Sequence, residues 1–371
     1  MFVRKGICGS APRALMRSTT CRNACGLRPR VVLGIETSCD ETGVAVLDEK
    51  GTILGESLHS QKEVHLKTGG IIPPVAQRLH EENISRVVQD ALDRSGVLAQ
   101  ELDAVATTVK PGLALSLGVG LRFSRSFVRR HQKPFIPIHH MEAHALTVRM
   151  IQQVHFPFLV LLVSGGHSLL ALARDIDDFL LLGQTLDEAP GDTLDKVARR
   201  LSLVKHPECV GLSGGQAIEL LAKKGDRLQF QFKPPMGQKY DCNFSFAGIR
   251  NQVTMTIKRK EKQEGVESGQ LLSCVRDIAA AAQHTVASHI AKRTYRAIIF
   301  CQTRGFLPEI NPTLPVFIRR NGVERLKKGT GILSHTQEVF YEPRAPLGRD
   351  ISTAVRDAAI TLPALKLKIG S

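Results

Sequence analysis

No stretch of this sequence stays apolar for long. The longest run, Phe156 to Val163, contains Pro157 and falls far short of the roughly 18 to 20 residues that a spanning helix needs. Membrane insertion is therefore not expected. The eight cysteines form no CxxC pair and keep no regular spacing, which argues against a disulfide framework or a zinc ribbon and fits a reducing compartment. A Walker A motif, a GxGxxG fingerprint and a nucleophile elbow are all missing, so three common catalytic classes lose their usual signature. Acidic residues are absent before Glu36, whereas Arg4, Lys5, Arg13, Arg17, Arg22, Arg28 and Arg30 precede it.

That leader is Arg-rich, contains Ser and Thr, and lacks the continuous apolar core of a secretory signal. Its composition is that of a mitochondrial transit peptide over residues 1–30, although a basic arm resting on nucleic acid has the same composition. Of the net charge of +15, about half, +8, remains after the leader. Basic clusters recur at Arg125, Arg129, Arg130 and Lys133 and at Lys258, Arg259, Lys260 and Lys262. With 371 residues, 43% hydrophobic and 23% charged, the rest has the usage of a globular protein of roughly two domains.

From Val31 the pattern predicts strands at Val31–Ser38, Gly43–Leu47 and Thr52–Leu58, then a helix over Ile84–Arg94 and a strand at Ala104–Val109. A helix over Gly118–Phe127, a strand at Phe135–His139 and a helix over Met141–Met150 complete this half. A second set starts at Leu159–Val163, followed by a Gly-rich turn, strands at Leu169–Arg174 and Phe179–Thr185, and a helix over Asp195–Leu203. The repeated order points to two α/β lobes. Farther on, Lys258–Gly265 reads as a charged helix or linker, Ile278–Tyr295 as an amphipathic helix and Ala297–Cys301 as a strand.

Several groups could carry chemistry. His140 and His144 stand at i and i+4 on one helical face, a spacing that suits one metal ion; two ligands are not a complete site, and ordinary core or surface histidines fit as well. His139 reads as a hydrogen-bonded strand end. Ser164-Gly165-Gly166-His167 directly follows a strand, so backbone amides there can approach a phosphate or carboxylate, as they can in a plain tight turn. Thr37 to Glu41 occupy a strand–strand turn where hydroxyls and acids can line a cleft. Asp187, Glu188, Asp192 and Asp195 surround Pro190-Gly191 just before a helix, where acids stabilise the N-terminal dipole. Ser213-Gly214-Gly215 opens a helix bearing Glu219.

In order along the chain, LGIETSCDETGVAV, TGGIIPPVAQRLHEENI, TTVKPGLALSLGVGL, IPIHHMEAHAL, LLVSGGHSLL, LDEAPGDTLDKVARRL, SGGQAIELL and FSFAGIR closely resemble the tRNA threonylcarbamoyltransferase family. The likeness runs from about Val31 to Cys301 and resumes at Asn321–Ile351; with the leader it resembles the mitochondrial branch. Lys110 stands where the wider family usually has glycine.

The resemblance implies an actin/Hsp70-like (ASKHA) fold of two lobes, residues 31–150 and 151–320, with the active site in the cleft between them and a C-terminal segment at 321–371. It implies transfer of a threonylcarbamoyl group from threonylcarbamoyl-AMP, supplied by a separate synthase, to N6 of adenosine 37 in mitochondrial tRNAs reading ANN codons. His140 and His144 would ligate one divalent metal ion per subunit, iron or zinc. Leu162, Val163, Ser164, Gly165, Gly166, Asp195, Gly215 and Glu219 would hold the substrate. A homodimer in the mitochondrial matrix is expected.

One departure from the family stands out. Members carry an SGG-x-x-x-N element and then a CTDNG element whose aspartate is the third metal ligand. Neither occurs here; QTRGFLPEINPTLPVFIRR is joined directly to NGVERL. The chain thus reads as internally shortened in its second lobe, and the alternative to an active transferase is a catalytically impaired form that at most binds tRNA or a full-length partner. The leader makes a separate prediction. Residues 1–40 fused to a fluorescent protein should direct it to mitochondria; a diffuse cytosolic signal by microscopy would refute it.

Overall fold

The computed structural model describes residues 28–307 apart from 69 and 152, together with the strands at 314–319 and 336–341. Most of the leader and the tail beyond residue 341 therefore lie outside the described residues, as does the transit-peptide expectation. The first lobe runs β1 (Val31–Glu36), β2 (Glu41–Asp48), β3 (Ile53–Ser60), α1 (Lys62–Lys67), α2 (Pro73–Ser95), β4 (Ala104–Lys110), α3 (Ala114–His131), β5 (Phe135–His139), α4 (His140–Leu146) and α5 (Val148–Ile151). In β1, VVLGIE alternates buried with partly buried residues, the period-2 signature of a strand with one dry face. Val31, Leu33 and Ile35 meet Val44 and Val46 of β2 and Ile84, Val87, Val88 and Ala91 of α2.

α2 begins earlier than its apolar periodicity suggests. Pro73 and Pro74 occupy its first turn, where a missing N–H costs nothing, and Gly96 closes it in the left-handed region at φ 65. The segment expected as one helix over Met141–Met150 divides into α4 and α5 around Thr147.

The second lobe comprises β6 (Phe158–Val163), β7 (Ser168–Ala173), β8 (Phe179–Gln184), α6 (Pro190–Arg200), α7 (Gly214–Ala222), α8 (Ala247–Glu264), α9 (Val275–Thr303), β9 (Leu314–Arg319) and β10 (Thr336–Tyr341). Lys258–Gly265 is the last two turns and cap of α8. Ala297–Cys301, expected as a strand, is helical: it continues α9 without a break. Ala297, Ile298 and Cys301 extend the buried stripe of Ile290 and Thr294, and no Pro or Gly interrupts it, so burial at helical spacing overrides the β preference of Ile298-Ile299. The strand lies later, at β9.

Both sheets follow one plan. The first has the order β3-β2-β1-β4-β5 and the second, read from its other edge, β8-β7-β6-β9-β10. β1–β3 and β6–β8 are antiparallel meanders, and β4 and β9 add in parallel to β1 and β6. This is the two-lobed α/β architecture that the family resemblance implies. The plan diverges at the last strand. β5 is parallel to β4, which requires the crossover through α3, whereas β10 is antiparallel to β9 and only residues 320–335 separate them.

All six residues of β6 are buried. On one face Leu159 and Leu161 join a core with α6 to α9; on the other Phe158, Val160 and Leu162 pack on Met141, Ala145 and Val148 of α4 and α5.

In the first lobe β3 lies so close to α2 that a Cβ on Gly55 would sit 2.4 Å from both Ala91 O and Ser95 N. Backbone cannot yield as a side chain does. Gly55→Ala is therefore expected to lower stability by about 1–3 kcal/mol, as overpacking does, read by urea denaturation; an unchanged midpoint would show that β3 slides away freely.

Candidate active site

A cavity of about 830 Å³ opens between the lobes, large enough for a nucleotide-sized ligand. From the first lobe it is lined by the β1–β2 turn (Ser38 to Glu41), Lys62 and His65 of α1, the Pro111-Gly112-Leu113 loop, and His140, Met141 and His144 of α4. The second lobe adds Leu162 to His167, Asp195 and Arg199 of α6, and the Ser202–Ala217 region.

α4 reaches the cavity because its two stripes differ by one residue. Met141 and Ala145 face the apolar side of β6, which turns His140 and His144 toward the cleft. Their Nε2 atoms stand 3.0 Å apart, with ring centroids at 4.4 Å. On its other nitrogen His140 meets a carboxylate: Nδ1 is 3.2 Å from Glu36 Oε2 and 3.2 Å from Ser38 Oγ. Glu36 also accepts from the Ser38 amide and the Thr108 hydroxyl. Burial works to raise the Glu36 carboxyl, but the hydrogen bond and charge of His140, with Ser38 and Thr108, outweigh it and bring it down to about 2. Glu36 is thus an ionised acceptor at neutral pH. His139 ends β5 with its Nδ1 lacking a hydrogen-bond partner, so the hydrogen-bonded role expected for it does not hold at that atom.

The pair of imidazoles fits a divalent ion as two of its ligands. Among the described residues no group of three His, Cys, Asp or Glu is arranged to hold a metal, so the donor set is incomplete there.

The glycine turn closes on itself. Ser164 Oγ accepts from the amides of Gly166 at 3.2 Å and His167 at 2.9 Å, and the Ser164 amide donates to His167 O at 2.8 Å. Three of the turn's amides that could have faced a ligand are therefore taken within the turn, although Leu162 to Gly166 all line the cavity. The turn packs directly on α6: a Cβ on Gly191 would lie 2.7 Å from Gly165 Cα. Asp195 also lines the cavity, and its Oδ1 accepts from the Gly215 amide at 2.8 Å. Burial raises the Asp195 carboxyl, Gly215 opposes this, and the nearby charge of Asp192 adds to the rise.

Gly215 and Glu219 stand behind this wall rather than in it. Gly215 meets Asp195, and Glu219 is buried one turn along α7, 3.6 Å from Lys223 Nζ. Asp187 and Glu188 serve the scaffold: Asp187 accepts from Ser245 Oγ and the Phe246 amide, and Glu188 pairs with Lys196 at 2.6 Å and Arg250 at 2.8 Å. Sequence reasoning passed over Glu36, Lys62, His65 and Arg199. Glu36 lies within the quoted LGIETSCDETG run and was readable there as an acid beside a turn; nothing local marks the other three.

The family profile described as tRNA N6-adenosine threonylcarbamoyltransferase matches residues 52–324. The mitochondrial enzyme of that name from Danio rerio is 68% identical over 382 aligned residues, covering 93% of this chain and 95% of the relative. The Homo sapiens enzyme is 55% identical, covering 92% and 91%.

The chain belongs to the tRNA N6-adenosine threonylcarbamoyltransferase family.

It falls in the mitochondrial branch, is a mitochondrial protein, and its class of chemistry is group transfer to tRNA. The Drosophila melanogaster relative, named as a probable mitochondrial member, is 45% identical over 297 residues, with 78% and 73% coverage. The Danio rerio alignment is longer than the 371 residues of this chain, so the relative has positions with no counterpart here. No described helix is long and apolar enough to cross a membrane.

The contact between α6 and the glycine turn supplies a test. Gly191→Ala must displace the Ser164–Gly166 wall and should weaken binding of AMP, the nucleotide part of the donor that the family resemblance implies, by about tenfold, or about 1.4 kcal/mol. Calorimetric titration of the folded variant checks this; unchanged affinity would show that the wall yields without consequence.

Proposed function

We propose that the cleft binds threonylcarbamoyl-AMP and passes its threonylcarbamoyl group to N6 of adenosine 37 in mitochondrial tRNAs reading ANN codons, in the matrix. The observation that carries this reading is the convergence, in one cavity, of His140 and His144 from the first lobe with the Ser164 turn and Asp195 from the second. In the reaction the adenine amine attacks the carbamoyl carbon, the bond to the AMP phosphate oxygen breaks, and the amine loses a proton. A divalent ion held by His140 and His144 supplies Lewis-acid stabilisation when bound. The chain's own residues orient and enclose the substrate: the Ser164–Gly166 wall bounds one side, and Asp195, braced by Gly215, offers a carboxylate to the nucleoside hydroxyls. Glu219 supports this wall from behind. The adenine must leave the anticodon-loop stack to enter, and the basic faces at Arg125–Lys133 and Lys258–Lys262 are suited to the tRNA backbone. The lobes correspond to residues 31–150 and 151–320 with a C-terminal segment at 321–371, and the active unit is a homodimer supplied by a separate synthase.

The second reading is that this shortened chain is catalytically impaired. It is supported by the missing SGG-x-x-x-N and CTDNG elements, by the antiparallel β9–β10 pair where the first lobe has a parallel one, and by an alignment longer than the chain itself. With two imidazoles and, among the described residues, no third anionic ligand, an ion is held loosely and the substrate is poorly positioned. Asp350, an acid that could substitute, lies outside the described residues.

One experiment tests both readings. This chain and a version with the missing segment restored are given threonylcarbamoyl-AMP made from isotope-labelled threonine and mitochondrial tRNA, and metal stoichiometry is measured on each. Restoration should raise both metal content and label transfer, and His140→Ala should remove both again. Equal metal and equal turnover would overturn the impaired reading; no transfer by the restored protein would overturn the transferase reading.

A further inference from the structure

We infer that Glu36 is a positioning residue that fixes the tautomer and direction of His140, so that its Nε2 lone pair points toward His144 and the cleft. The inference rests on the reading of His140 as a ligand. It begins with a conflict of lone pairs. A carboxylate can only accept hydrogen bonds, and Glu36 Oε2 lies 3.2 Å from His140 Nδ1. If Nδ1 were bare, two acceptors would face each other at hydrogen-bond distance in a largely buried place. Nδ1 therefore carries the proton and Nε2 is bare. Ser38 Oγ, also 3.2 Å from Nδ1, is compatible with this as a second acceptor.

The carboxylate cannot turn away to relieve another arrangement. Glu36 ends β1, and its oxygens also accept from the Ser38 amide and from the Thr108 hydroxyl of β4. Two adjacent parallel strands thus fix the acceptor, and α4 brings the ring to it. At the far side of the ring the Nε2 atoms of His140 and His144 converge to 3.0 Å, and both residues line the cavity. Histidines that ligate metals usually donate their other N–H to a carboxylate or carbonyl, which sets the tautomer and raises ligand basicity. A carboxylate placed on Nδ1 of His140 has that arrangement.

A merely structural Glu36 would leave the ring free to choose its proton. Long-range nitrogen–proton spectra of histidine-labelled protein at about pH 8 report the tautomer directly, with His140→Gln identifying the signal. The wild-type ring should carry its proton on Nδ1, and Glu36→Ala should move it to Nε2 while circular dichroism stays unchanged. Cobalt(II), titrated as the probe ion, should bind Glu36→Ala about 10–100-fold more weakly than wild type. A wild-type His140 protonated on Nε2 would overturn the inference without any variant. So would a Glu36→Ala protein that keeps both the tautomer and the cobalt affinity. Cobalt affinity that survives His140→Ala would instead overturn the ligand reading, and the wild-type tautomer would still judge Glu36.

Discussion

The site depends on β6 being buried on both faces. FLVLLV has no polar side chain to offer water, and a strand of this kind is stable only between two covering layers. One layer is α6 to α9; the other is α4 with α5. Covering the second face fixes the rotation of α4, because Met141 and Ala145 must point at Phe158, Val160 and Leu162. The histidines one position earlier are then turned to the cleft. The same strand ends at Ser164, so the glycine turn is placed by the burial that orients the histidines. A polar residue at Val160 would loosen both walls together.

Polar contacts then lock what the apolar layers bring near. α6 enters the cleft with its second turn held by Glu188, whose two oxygens engage Lys196 and Arg250. Asp187 seizes the backbone of Phe246 and so ties α6 to the start of α8. At the other end Arg200 meets Glu261 through two bonds of 2.7 and 2.6 Å, a bidentate geometry that specifies direction as well as proximity. Burial lowers the tendency of Asp195 to ionise, yet the Gly215 amide steadies its charged form. The acids flanking Pro190-Gly191 thus divide their work: Asp195 lines the cavity, and Asp187 and Glu188 hold the frame.

Legibility in the sequence followed the range of the forces involved. Period-2 alternation in VVLGIE and the apolar run at β6 are local, and they located strands and lobe order. The pair His140 and His144 was readable because i, i+4 neighbours share a helical face. Contacts between distant segments left no such trace: Lys62, His65 and Arg199 reach the cavity only through the packing of whole elements. Ala297–Cys301 misled because Ile298-Ile299 favours a strand in isolation, while the buried stripe of α9 favours continuation. The resemblance to a known family supplied the roles of Asp195 and the glycine turn, which spacing alone did not.

The two sheets also explain how a chain can keep one part of a site and lack another. Among the described residues, every one that lines the cavity lies between Ser38 and Ala217, upstream of α9, and is held by β1 to β7 and α1 to α7. The third ligand that the family resemblance implies would belong to an element after β9. In the proposed reading, substrate enclosure and completion of the metal's ligand set therefore rest on different stretches of chain. In the first lobe the crossover helix α3 lets β5 run parallel to β4, although β5 itself stays largely exposed. Between β9 and β10, joined by residues 320–335, the pair is antiparallel. Such a change acts first on the far edge of the second sheet. β6 remains covered by α4 and α6, so the cleft walls do not depend on that edge.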